Sequence, residues 1–303
     1  MLAHAALAGE SARNGFALEP ASIPAAEILA GGPPRDGIPA LDRPATLPAT
    51  QADWSDDERI LGVVVAGQAR AYPVAILNWH ELVNDTLGGE SILVSFCPLC
   101  GTGMVFDRRI GGEVRSFGVS GLLYRSDLLM YDRSTESLWS QITAEAVTGL
   151  LLGQRLHVLR AHMDLWGRWR REHPETTVLS RETGHRRDYA RSPYAGYADS
   201  RELTFPAPLD RRYHPKMPTL GLRHPGGGAR AYPAAELARA GGSLEESFLG
   251  HPVRIAYDAD RQLFDVDAPP EVEVVEGFWF AWAAFHPDTS IYTFTGSSGA
   301  KSR

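Results

Sequence analysis

The string Ala69-Arg70-Ala71-Tyr72-Pro73 returns unchanged as Ala229-Arg230-Ala231-Tyr232-Pro233. Around it, Leu87-Gly88 followed by Ile92 to Phe96 matches Leu249-Gly250 followed by Val253 to Tyr257. His173-Pro174-Glu175-Thr176 matches His286-Pro287-Asp288-Thr289, and each follows a tryptophan pair, Trp166 and Trp169 or Trp279 and Trp282. Before that last match the spacing between partners shrinks by about 49 residues, so the first copy carries an insertion of that size between Met104 and Leu156. Each copy reads as a hairpin, a short helix, a buried strand, a turn, a second strand, an amphipathic helix and a last strand. The pattern predicts an α+β fold: a β-rich, internally duplicated unit of two related half-domains packed together, the first carrying the insertion. Residues 1–57, punctuated by Pro33, Pro34, Pro39, Pro44 and Pro48, read as an extended proline-rich arm. The first repeat then spans 58–185, a connection 186–216, and a second, degenerate repeat 217–303.

Composition narrows the function classes. With 44% hydrophobic and 22% charged residues the chain is expected to fold as a soluble globular protein. A net charge of -7 argues against a surface that collects phosphates, so nucleic acid is not an expected partner. No apolar run approaches the roughly 18 residues needed to span a bilayer, and no membrane segment is expected. Met1 to Ala8 lack a basic residue and soon meet Glu10 and Arg13, which predicts no secretion signal and a cytoplasmic location. The only cysteines, Cys97 and Cys100, are too few and too close for a disulfide framework, and point to chemistry or metal.

What both copies keep reads as scaffold, and what one keeps alone needs another reason. His173 and His286 share the same His-Pro turn and read as turn or capping residues. The copies differ most after the buried strand, where the first has Phe96-Cys97-Pro98-Leu99-Cys100-Gly101-Thr102-Gly103 and the second an ordinary polar turn, Tyr257-Asp258-Ala259-Asp260-Arg261. His80 and the whole insertion also belong to the first copy alone. The strings Cys97 to Gly103, Phe117-Gly118-Val119-Ser120-Gly121, Ser126 to Arg133 and Leu138-Trp139-Ser140-Gln141 resemble the bacterial domain of unknown function 3179 (DUF3179) family. The resemblance covers roughly residues 58–300 and implies no activity, so the chemistry has to come from the residues.

A Cys-x-x-Cys turn leaving a strand brings two sulfurs together, and Gly101 and Gly103 let the backbone curl toward them. Cys97 and Cys100 with His80 as third ligand make an incomplete metal sphere, which leaves a place for substrate. Met104, Met130 and Tyr131 are the candidates nearest the fourth place, with Tyr131 counted beside the cysteines as catalytic. Thiolate with imidazole or thioether favours copper, with zinc as the alternative. Ser120, Ser126, Arg133, Trp139 and Gln141 supply the polar groups and aromatic wall of a small-molecule pocket. The resulting expectation is a metal-dependent, copper-favouring oxidoreductase acting on a small molecule. Three alternatives stay open: a thiol–disulfide couple, a non-catalytic metal-binding module, and a pair of packed buried cysteines.

Overall fold

In the computed structural model of the chain, residues 12–296 are described. The leader reading of Met1 to Ala8 therefore lies outside the described residues. The expected pair of α+β half-domains does not form. Five sheets make the blades of a five-bladed β-propeller, and its four α-helices among the described residues are short, the longest being seven residues. The helical periodicities are real but mark only one or two turns at strand ends, Val74–His80, Trp166–Glu172, Ala234–Arg239 and Trp279–Phe285.

Blade 1 pairs Ala161–Leu165, Arg59–Val65, Gln68–Pro73, Thr177–Leu179 and Thr46–Pro48 in that order. Blade 2 is built on Leu82–Leu87, Glu90–Cys97 and Thr102–Asp107. Blade 3 has Phe117–Tyr124, Asp127–Asp132, Leu138–Ser140 and Glu145–Ala146, which places the sequence insertion in a blade of its own. Blade 4 has Pro218–Arg223, Ala229–Pro233, Glu273–Phe278 and Ser290–Ile291, and blade 5 has Ser243–Phe248, His251–Asp258 and Leu263–Asp267. The recurring strings occupy like strands of like blades. They reflect blade architecture, which repeats a sheet around an axis, and no two halves separate.

Closure comes from both the middle and the rim. Thr102–Asp107 touches Ala161–Leu165 and Glu273–Phe278, while Ala161–Leu165 also touches Leu263–Asp267. Arg168 pairs with Asp265 at 2.7 Å between blades 1 and 5, and Arg155 grips Glu273 with two hydrogen bonds of 2.9 and 2.8 Å beside blade 4. Before Arg59 the chain adds edge strands to three blades: Ile28–Ala30 to blade 3, Leu41–Asp42 to blade 2 and Thr46–Pro48 to blade 1. Pairing of this kind satisfies sheet edges that would otherwise stay open.

Two-residue turns join the long hairpins, and both central residues adopt the left-handed conformation that matches strand twist. Ala66-Gly67 joins Arg59–Val65 to Gln68–Pro73, Gly88-Gly89 and Leu249-Gly250 do the same in blades 2 and 5, and glycine takes the second place in each. His173 and His286 are helix C-caps, each donating its backbone N–H one helical turn back to a tryptophan carbonyl. Those tryptophans, Trp169 and Trp282, donate Nε1–H to Thr176 and Thr289 and lie against Gly62 and Gly221. Glycine is required at Gly62 because a Cβ there would stand 2.5 Å from the buried Trp169 ring. Gly62→Ala is therefore expected to cost about 1–3 kcal/mol through overpacking, read as a lower midpoint in chemical denaturation.

Candidate functional site

Blade 2 ends its middle strand at Cys97 and starts the next at Thr102, directly opposite. Between them the chain turns tightly, with Cys100 N–H donating to the Cys97 carbonyl at 3.2 Å and Gly101 at φ 63°. The Cys100 carbonyl accepts the Phe278 N–H at 2.8 Å, so blade 4 pins the turn from across the axis. Both sulfurs are reduced and buried.

The hairpin tip of blade 3 meets them. Tyr124 and Asp127 face each other across the turn Arg125-Ser126, whose φ values are 52° and 69°. Every other two-residue hairpin turn among the described residues ends in glycine, and this one does not. The tip turns the Ser126 carbonyl to both thiols, accepting from Cys100 Sγ at 3.4 Å and Cys97 Sγ at 4.0 Å. It also brings the Asp127 carboxylate to them: one ligand atom each from Cys97, Cys100 and Asp127 lie within 4.8 Å of one another. One oxygen of Asp127 accepts the Ile142 N–H at 3.2 Å, while Oδ1 is buried without a partner.

Glu81 adds a fourth acidic group. It caps Val74–His80 with φ 57° and ψ -37°, a conformation that costs a non-glycine residue on the order of 1–3 kcal/mol. Its carboxyl lines a cavity of about 520 Å³ together with Leu99 and Leu128, the neighbours of Cys100 and Asp127. Burial raises the carboxyl of Asp127 to about 7. Burial, and then the charge of Asp127, raise Glu81 to about 8. Both thiols are pushed upward, again chiefly by burial. No basic side chain is among the groups acting on these four acids.

The expected ligands separate. His80 is fully buried, with Nδ1 at 2.8 Å from the Pro39 carbonyl and Nε2 at 2.7 Å from the Tyr189 hydroxyl, so neither ring nitrogen is free for a metal. Burial lowers it to about 4. Tyr131 lies on the other face of blade 3, where its hydroxyl donates to Asp36 at 2.6 Å and its ring packs on Phe16. Met104 and Met130 belong to the apolar core that also holds both cysteines. The polar groups expected to form a pocket do not line the cavity. Ser120 closes the bulge of its own strand through Leu122 N–H and the Leu129 carbonyl. Arg133 pairs with Asp42, Trp139 donates to Asp132, and Gln141 donates to Ser95 and Thr102. Ser126 alone stays beside the sulfurs, through its carbonyl.

Asp127 and Glu81 escape a reading of the chain alone, although both lie in segments peculiar to the first copy, one in the insertion and one beside His80. The DUF3179 family model, described as a protein of unknown function, matches residues 35–270. No curated protein and no solved structure matches the chain.

Two outcomes follow from this geometry. Ser126→Gly should stabilise the protein by about 1 kcal/mol in thermal melts, because glycine adopts the left-handed turn without cost. His80 is held neutral in the folded chain, whereas in the unfolded chain it protonates near its ordinary value. Its contribution is thus full above about pH 6.5 and drains away as pH falls toward 4. The stability gap between the protein and His80→Gln, measured by urea unfolding, should narrow over that window by about 3 kcal/mol.

Proposed function

Because the chain belongs to the DUF3179 family, whose description carries no activity, we propose its function from the site: a metal-dependent enzyme acting on a small molecule. Cys97, Cys100 and Asp127 hold the ion, and Glu81 serves as the acid–base group facing the cavity. The observation that carries this reading is the buried Asp127 carboxylate, which keeps one oxygen unpartnered and shares a group of ligand atoms within 4.8 Å of one another with the two sulfurs. A buried carboxylate oxygen without a donor is costly, and an ion between the three groups removes that cost. Size agrees as well, since thiolates about 2.3 Å from a tetrahedral ion stand roughly 3.8 Å apart, inside the 4.8 Å span of the group.

The donor set favours a borderline divalent ion of the zinc type. Copper was favoured by an imidazole or thioether beside the sulfurs, and a carboxylate takes that place instead. Three protein ligands leave a position for substrate or water. When bound, such an ion polarises an oxygen or lowers the pKa of water. Glu81 then takes or returns the proton, its raised value of about 8 suiting exchange near neutral pH. Leu99 and Leu128 keep bulk water away from that exchange. Thiol–disulfide exchange is a poorer fit, because burial keeps both sulfurs protonated and away from a partner thiol, whereas a bound cation would itself draw the protons off.

Elemental analysis of protein purified under reducing conditions tests the proposal. Near-stoichiometric zinc is expected, lost in Cys97→Ala and Asp127→Asn and kept in His80→Gln. Copper in that place would restore the oxidoreductase reading, and a metal-free protein that takes up neither ion would overturn both. Metal affinity should also weaken progressively as pH falls below about 7, since protons then compete for the Asp127 carboxylate.

A further inference from the structure

We infer that the cavity beside Glu81 takes a small organic cation, an amine carried on an apolar body. The inference deepens the enzyme reading, on which it rests only for the purpose of binding. The cavity, about 520 Å³, falls in the range of small-molecule sites. Its walls are apolar, with Val119, Leu123, Leu128 and Phe205 among them, and two aromatic rings, Tyr194 and Tyr197, complete the lining. Among the described residues Glu81 is its one carboxyl, and no arginine, lysine or histidine lines it.

Charge decides between ligand classes. Two thiolates and a carboxylate outweigh a divalent ion, so the loaded cluster stays negative, and Glu81 adds to it. An anionic ligand would meet that field with no cation in the wall to receive it. An uncharged ligand would leave Glu81 in its buried, protonated form and draw no charge-assisted bond from it. An ammonium group lets Glu81 ionise and make a charge-assisted hydrogen bond, while the Tyr194 ring and the apolar walls suit its body.

Calorimetry with three probes of one shape tests this: 2-(1-naphthyl)ethylamine, 2-(1-naphthyl)ethanol and 3-(1-naphthyl)propanoate. The amine should bind at least about tenfold tighter than the alcohol, equivalent to about 1.4 kcal/mol, and the acid should not bind. Glu81→Gln should bring the amine to the level of the alcohol. Leu123→Trp, which fills the cavity, should abolish binding of all three. An alcohol as tight as the amine, an acid that binds best, or an amine preference that survives Glu81→Gln overturns the inference. Should Glu81→Gln fail to fold, the ranking on the unaltered protein decides alone. Running the series on metal-free and zinc-loaded protein separates the two claims. A chain that takes up no metal yet ranks the amine first sinks the metal reading only, and a zinc-loaded chain that prefers the acid sinks this one only.

Discussion

Desolvation of acidic groups without a countercharge is the physical fact around which this molecule is arranged. Cys97, Cys100, Asp127 and Glu81 are all buried, and their proton affinities rise together for the same reason. A fold that had only to be stable would place apolar side chains there, since buried ionisable groups weaken a core unless compensated. The neighbouring core is indeed apolar: Leu82, Met104, Phe117 and Trp139 pack around the sulfurs. A cation is the simplest agent that would compensate the Cys97, Cys100 and Asp127 group.

Holding the cluster together falls to the propeller ring. The cysteines and Asp127 come from different blades, which Asn84 of blade 2 joins by exchanging two 2.8 Å hydrogen bonds with the Phe117 backbone of blade 3. Blade 4 contributes no ligand, yet its Phe278 N–H fixes the cysteine turn. Arg223 of the same blade donates to the Ile142 carbonyl, while Ile142 N–H donates to Asp127. Strain is present at the same place. Arg125, Ser126 and Glu81 all hold positive φ without being glycine, and the tip Arg125-Ser126 does so at both positions, where Ala66-Gly67 and Leu249-Gly250 keep glycine at the second. Strain at a position that glycine would relieve is retained where the side chain or its aim matters.

The cysteine pair was legible in the chain because composition and the contrast between similar segments both isolate it. Hairpins were legible too, since Gly67 and the flanking alternation of Val63 and Val65 signal a turn between strands. Ring closure was not. Alternating patterns state which face of a strand is buried and say nothing of how many sheets share an axis, so like blades read as two halves. Asp127 escaped for a related reason: its approach to Cys97 depends on two blades meeting tip to tip, a contact with no trace in local spacing. His80 misled because proximity along the chain stood in for direction. It ends a helix whose geometry sends the imidazole toward Pro39 and Tyr189, and the next residue, Glu81, takes the turn into the cavity.

The stretches with the least periodicity turn out to shape the cavity. Gly31, Pro33 and Ile38 of the proline-rich arm form one wall, and Pro193 to Tyr197 with Phe205 form another. Regular strands present a repeating surface, which fixes the three groups of the acidic cluster, whereas an enclosing wall is built more readily from irregular backbone. Lys216 anchors the second wall by donating to the carbonyls of Ser200 and Glu202 while lying over the Tyr197 ring. The walls and the blades are nonetheless tied together, since Gly31 and Asp36 of the arm donate their N–H groups to the carbonyls of Gly121 and Val119 of blade 3, and Glu81, Leu99 and Leu128 complete the lining.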